Sequence, residues 1–369
     1  MSYDIILAGL GAAGSATAFH LAGRGARVLG LDRYHPPHTL GSSHGESRVI
    51  RESAFEGPRY VPWARRAYAT WRRLEAETGE GLLHVTGVLF VGQPESAVVG
   101  GTLASAREHA IVHEVLPEAA LARRYPAFRR LEGAIGVLEP GAGWLNPERC
   151  VAASLAHAAA HGVELRYDEP VLRWEPSGTG VTVTTPKGRY HAGRLLLAAG
   201  PWMPALLGDQ GSMLSVERQV QHWFTPQDPA ALKVMPIFIR QAGDTVFYAV
   251  PPVGGDTKVA VHHAGDPTTP DTVQRDVLPQ EVTAVRGLLQ QYVPAMAGAH
   301  RRAAVCLYTN SRNGHFILDR HPAHGAVLVV SACSGFGFKF ASAVGEALAD
   351  LLTDRVPSLD VTAFRLGSV

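Results

Sequence analysis

Asp4-Ile-Ile-Leu-Ala8-Gly9-Leu-Gly11-Ala-Ala-Gly14 is the stretch on which the fold turns. Its first five residues are a short, mostly apolar run, the pattern of a parallel strand covered on both faces. Glycines follow at positions 9, 11 and 14, and then a helical stretch from Ser15 to Gly23, with Ala18, Leu21 and Ala22 at helix spacing. Arg27-Val-Leu-Gly-Leu-Asp32 reads as a second strand that ends in an acid. Each part has a physical task in holding a dinucleotide. Gly9 permits the tight turn, Gly11 lets a pyrophosphate approach the backbone, and Gly14 lets helix and strand pack closely. The helix N-terminus offers N–H groups and positive dipole to the phosphates. Asp32, 18 residues past Gly14, is placed to accept a hydrogen bond from a ribose hydroxyl. Strand, helix, strand and acid in this order predict a dinucleotide-binding unit; the motif itself does not separate FAD from NAD.

The bulk numbers agree with a chain larger than this one unit. Its 369 residues suggest two domains, and 46% hydrophobic with 18% charged residues is the composition of a soluble globular protein. Lys plus Arg (34) nearly equals Asp plus Glu (33), which gives no footprint for nucleic acid or a membrane surface. Cys150, Cys306 and Cys333 are too few and too scattered for a disulfide framework or a zinc site, so no metal is expected and a reducing compartment, the cytoplasm, fits best. Residues 5–22 are apolar, but the three glycines, Asp4 and the lack of a basic start argue against a signal peptide.

Four further stretches carry chemistry. Arg194-Leu-Leu-Leu-Ala-Ala-Gly200-Pro-Trp202 is an apolar strand ending in a small-residue turn. Gly41-Ser-Ser43-His44-Gly-Glu-Ser-Arg48-Val-Ile-Arg51 sets two arginines three apart, which share a face if the segment is helical; they read either as solvated arginines or as a clamp that forks onto a carboxylate. In Lys258-Val-Ala-Val-His262, alternation puts Lys258, Ala260 and His262 on one face of a strand, either a solvated edge or a cationic wall. Cys306-Leu-Tyr308-Thr-Asn is followed by His315-Phe-Ile-Leu-Asp319-Arg-His-Pro322 and Ser334-Gly335-Phe-Gly337-Phe-Lys339-Phe. The last run leads into a helix with Ala341, Val344, Leu348, Leu351 and Leu352 on one face. Lys339 at its first turn opposes the dipole, which invites a pairing with an anion. Cys306 between Val305 and Leu307 suits a buried small hydrophobe as well as a reactive thiol.

Together these motifs resemble the monomeric sarcosine oxidase and N-methyltryptophan oxidase family of flavoenzymes, along essentially the whole chain. The Arg194–Trp202 stretch is similar to the second FAD-contact strand of glutathione-reductase-like flavoproteins. The resemblance implies an α/β fold, a glutathione-reductase-like FAD-binding Rossmann domain (1–84, 141–215, 301–369) interleaved with an antiparallel-sheet substrate domain (85–140, 216–300). It implies FAD held by Gly9, Gly11, Gly14, Asp32, Ser43, His44, Arg48, Gly200, Gly335, Gly337 and Lys339 and linked covalently through Cys306. In the catalytic roles it implies Arg48 beside the flavin, Arg51 and Lys339 on the substrate carboxylate, His262 near the substrate, and Lys258 at oxygen. The expected activity is oxidative demethylation of sarcosine to glycine, formaldehyde and hydrogen peroxide by a monomer. Alternatives are oxidation of N-methyltryptophan, proline or pipecolate, a biosynthetic imino-acid oxidase or dehydrogenase, or a non-catalytic dinucleotide-binding redox sensor. Phe336 stands where family members can carry a histidine. Arg240 and Arg320 are additional cations near pocket-forming segments.

Overall fold

Ser2–Ala8 lies inside an eight-stranded sheet, and its apolar sequence is explained by its position. It pairs in parallel with Val28–Leu31 on one side and with Gly188–Leu197 on the other. Glu164–Arg166 and His324–Ser331 extend the parallel array beyond those neighbours. Ile317–His321 and the hairpin of Arg173–Ser177 with Gly180–Thr185 add antiparallel strands. The computed structural model describes residues 2–252 and 255–366; Met1, Val253, Gly254 and residues 367–369, inside the segments assigned above, lie outside that description.

The turn after Ser2–Ala8 is built as its glycines require. Gly9 adopts φ +100°, a region that L side chains rarely occupy. A Cβ on Gly14 would sit 1.8 Å from the Gly9 carbonyl oxygen, so only glycine allows the helix Ala12–Leu21 to start this close to the strand. That helix packs between the helices Pro147–Ala160 and Ala341–Leu352. The last keeps the apolar face that its sequence suggests, while its polar side is also largely buried, with Glu346 paired to Arg66 and Ser342 hydrogen-bonded to Thr70.

A nine-stranded sheet forms the second layer. Its strands run in the order Pro267–Thr268, Leu214–Phe224, Thr257–Val261, Thr245–Val250, Ile237–Ala242, Val88–Gly92, Ile135–Glu139, Glu114–Leu116. His300–Ser311 pairs antiparallel with Leu214–Phe224 along its length. The sequence reading puts 301–369 with the nucleotide unit, but this first strand, carrying Cys306 opposite Gln219, belongs to the second sheet. Gly87 at φ +76° separates the strand Leu83–Val85 from Val88–Gly92, and the two join different sheets. The arginine segment is extended, so the shared helical face does not form: Arg48–Ile50 pairs with Gly143–Leu145 in a small three-stranded sheet. Pro279–Tyr292 is a helix.

Candidate active site

One continuous cavity runs from the C-terminal end of Ser2–Ala8 to the face of the second sheet. At the first end it is lined by Gly9, Gly11, Asp32, Ser43, Gly200 and Trp202, and at the other by Arg48, Arg51, His262, Gly335, Gly337 and Lys339. Residues from five separate stretches of sequence therefore meet in one site. Gly14, His44, Cys306 and Lys258 are buried behind the lining.

The nucleotide end fits an adenine dinucleotide. The helix Ala12–Leu21 has no side-chain cap on Gly11, and its N-terminus faces the cavity, where unpaired N–H groups suit a pyrophosphate. Ser43 Oγ accepts from the Ala12 N–H at 3.2 Å and ties the arginine segment to this turn. Asp32 accepts from the N–H groups of Leu10 (2.7 Å) and Tyr34 (2.9 Å), which fixes its carboxylate at the strand end. The buried Nε2 of His44 has no partner. Burial, with help from Arg48 and Lys258, holds His44 down at about 3, so the ring is neutral. This buried nitrogen, one layer behind the cavity lining, has hydrogen-bonding capacity left for a water or a bound group.

The other end is cationic. Arg51 forms an ion pair with Glu56 at 2.7 Å and donates its second nitrogen to the Ser53 carbonyl. Its guanidinium lies 4.3 Å from the centre of the Phe55 ring. Lys339, in the tight turn Gly337–Phe340 just before the helix Ala341–Leu352, sits 3.5 Å from the same Glu56 oxygen and donates to the Phe336 carbonyl at 3.0 Å. Burial pushes Lys339 down to about 7 although Glu56 opposes the shift. Burial pushes Glu56 up, but Arg51 and Lys339 outweigh it and hold the carboxyl at about 2. Two cations thus converge on one buried carboxylate, and the protein's own glutamate supplies it.

His262 and Tyr308 form the adjoining wall, with Nδ1 and OH 3.3 Å apart. Burial, and His263 beside it, keep His262 neutral at about 4; burial raises the Tyr308 hydroxyl well above its usual range. Arg48 donates to the carbonyls of Ser42 and Ser47 at 2.9 Å and lies 3.6 Å from Cys306 Sγ.

A family model for FAD-dependent oxidoreductases matches residues 4–351. The chain belongs to the FAD-dependent oxidoreductase family. This oxidoreductase is 41% identical over 358 residues to the monomeric sarcosine oxidase of Streptomyces avermitilis, covering 95% of this chain and 93% of that one. It is 35% identical over 377 residues to the N-methyl-L-tryptophan oxidase of Salmonella arizonae, covering 100% and 99%. Among solved structures, NikD, described as an unusual amino acid oxidase essential for nikkomycin biosynthesis, superposes in its open form with a TM-score of 0.87 at 26% identity, over 99% of this chain and 97% of that one.

Several features of the oxidoreductase's site were not legible in its sequence. Glu56, Phe55, Tyr248 and Gln221 line the cavity without belonging to any motif. Tyr308 stands within the cysteine motif but carried no assignment. Cys333 lines the cavity without belonging to a predicted site, and its sulfur accepts the Thr309 N–H at 3.3 Å. Lys258 does not line the cavity; its ammonium is spent on the loop Gly45–Ser47. Phe336 does line it, stacked on Phe316 with ring centres 5.1 Å apart. Arg240 and Arg320 do not: the first donates to the carbonyls of Arg129 and Arg130, the second to those of Gly325 and Leu351. Among the described residues no helix is long and apolar enough to cross a membrane.

Proposed function

We propose that this oxidoreductase is an oxidase of small secondary amino acids, acting on sarcosine with oxygen and water to give glycine, formaldehyde and hydrogen peroxide. The observation that carries this reading is the convergence of Arg51 and Lys339 on the Glu56 carboxylate. A site that holds one carboxylate between two buried cations is built to hold another. FAD, when bound, takes two electrons from the C–H bond beside the substrate nitrogen and delivers them to oxygen. Arg51 and Lys339 fix the substrate carboxylate, and the same cations disfavour an ammonium nearby, so the amine binds in its neutral form. Neutral His262 and Tyr308 shape the wall without adding charge, and Phe336 with Phe316 excludes water.

In this reading, segments 1–84, 141–215 and most of 301–369 hold the cofactor, and 85–140 with 216–300 hold the substrate. Gly9, Gly11, Gly14, Asp32, Ser43, His44, Gly200, Gly335 and Gly337 form the cofactor's bed. Cys306 carries the flavin through a thioether: the bond replaces its S–H and one C–H of the flavin, and the two electrons released pass to oxygen. Lys258, one layer behind the cavity wall, would supply positive field to oxygen as it is reduced. The enzyme acts as a cytoplasmic monomer, which accords with its free cysteines.

Oxygen uptake across sarcosine, proline, pipecolate and N-methyltryptophan, with formaldehyde and peroxide measured, tests the substrate. Sarcosine is expected to give both products in equal amounts; peroxide without formaldehyde from sarcosine, or turnover of proline or pipecolate alone, would sink it. A second test uses pH. An aliphatic carboxylate that lacks an amine, such as propionate, needs Lys339 charged. Since Lys339 lies at about 7 in the free site, propionate is expected to bind with constant affinity below that pH. Above it, affinity weakens about tenfold per unit until the pKa of the complex is reached. Lys339→Met should abolish that slope. A pH-independent affinity in the wild-type enzyme contradicts the assignment.

A further inference from the structure

Lys258 is 3% exposed, and among the described residues no carboxylate is hydrogen-bonded to it. Its ammonium donates instead to the carbonyls of Gly45 (2.6 Å) and Ser47 (2.9 Å) and to Ser47 Oγ (3.3 Å). An ammonium buried without a counter-ion is costly unless something nearby compensates it. Compensation lies on the far side of the loop. Glu148, in the first turn of Pro147–Ala160, accepts the N–H of Gly45 at 2.5 Å and the N–H of Glu46 at 3.1 and 3.2 Å.

The Gly45 carbonyl and the Glu46 N–H belong to one peptide unit. That peptide therefore links a carboxylate at its N–H end to an ammonium at its C=O end, and each hydrogen bond polarises the other. The loop can present both ends only because Gly45 and Glu46 adopt φ +100° and +68°. At Gly45 the positive φ itself disfavours any side chain, and a Cβ would also press on the end of the Gln221 side chain, which would have to move.

We propose that Glu148 is a positioning residue for Lys258: through the Gly45–Glu46 peptide it pins the ammonium and acts as its counter-ion one peptide plane away. The proposal rests on the reading of Lys258 as the charge that meets oxygen. The groups around Lys258 act in both directions. Burial and Arg48 both push Lys258 well below its usual range, while Cys306, Glu148 and Glu46 oppose the shift. His44 is neutral. Glu46 is already committed to Arg302 at 2.6 Å, which leaves Glu148 as the acid that reaches the loop backbone.

The test uses the FAD-loaded enzyme. Reduced wild-type, Glu148→Gln and Lys258→Met proteins are mixed with oxygen across a pH series, and reoxidation is followed apart from anaerobic reduction by substrate. Glu148→Gln is expected to reoxidise about tenfold more slowly at neutral pH, with the midpoint of its alkaline decline about one unit lower, and reduction is affected far less. In the same variant, amide hydrogen exchange at Gly45 and Glu46 is expected to quicken in loaded and FAD-free protein alike. An unchanged midpoint overturns the proposal even if the rate falls, because a mere prop for the loop alters rate without altering titration. Slow Lys258→Met beside normal Glu148→Gln overturns the proposal alone. Lys258→Met that reoxidises as fast as wild type overturns the reading of Lys258 as well.

Discussion

Arg51→Met is expected to lower kcat/KM for sarcosine by about a thousandfold. Truncating one member of a buried, hydrogen-bonded charge pair costs about 2–5 kcal/mol, and a thousandfold corresponds to about 4 kcal/mol. Arg51 is 2% exposed, and its three kinds of contact cannot be rebuilt by a lysine. It pairs with Glu56, donates to the Ser53 carbonyl, and lies against the Phe55 ring. A single point charge reproduces at most the first of these, so Arg51→Lys should recover little. The control is a methylamine without a carboxylate, a poor substrate whose turnover depends far less on Arg51. If both substrates lose activity equally, the variant has damaged the fold and not the grip. If sarcosine loses less than about tenfold, Arg51 is not the carboxylate's anchor. Glu56→Gln should act in the opposite sense: with the internal carboxylate gone, KM for the amino acid falls and Lys339 loses the acid that opposes its downward shift.

Cys306→Ser is expected to change the flavin from acid-stable to entirely acid-released. After acid precipitation, the wild-type colour stays with the pellet and the variant's colour moves to the supernatant. Cys306 is 1% exposed, and Arg48 lies 3.6 Å from its sulfur. The structure also offers a rival. Cys333 lines the cavity, and burial pushes its thiol up, which leaves less of the reactive thiolate. Cys333→Ser should therefore keep its flavin in the pellet. Retention by Cys306→Ser together with loss by Cys333→Ser would move the attachment to the cavity thiol. Release from the wild-type protein would remove the covalent link altogether.

The parts of this site that sequence made legible are those with local geometry. Gly9, Gly14 and Asp32 are constrained by a turn of a few residues, so spacing alone announces them. The strand carrying Lys258 could be drawn from alternation, but its partner could not. That Lys258 is answered by Gly45 and Ser47, and those by Glu148, depends on how three distant segments dock. Glu56 was invisible for a similar reason: five residues past Arg51 in an irregular segment, it has no period to mark it. The extended course of Arg48–Ile50 was missed because its strand exists only through pairing with Gly143–Leu145. Likewise, the boundary near residue 300 failed because His300–Ser311 follows the second sheet, whose edge no local signal reveals.

The order of strands in the first sheet has a consequence for synthesis. Ser2–Ala8 sits beside Gly188–Leu197, which in turn sits beside His324–Ser331, so strands more than 300 residues apart in synthesis lie two places apart in one sheet. When residue 300 has left the ribosome, the glycine turn, Asp32 and both arginines exist, yet Cys306, Gly335 and Lys339 do not. A nascent chain at that stage has the glycine turn but lacks residues that line the other end of the cavity. Pairings this far apart in sequence also form slowly. Flavin capture thus belongs to the finished polypeptide, and a truncation that spares the entire dinucleotide turn still yields a colourless protein.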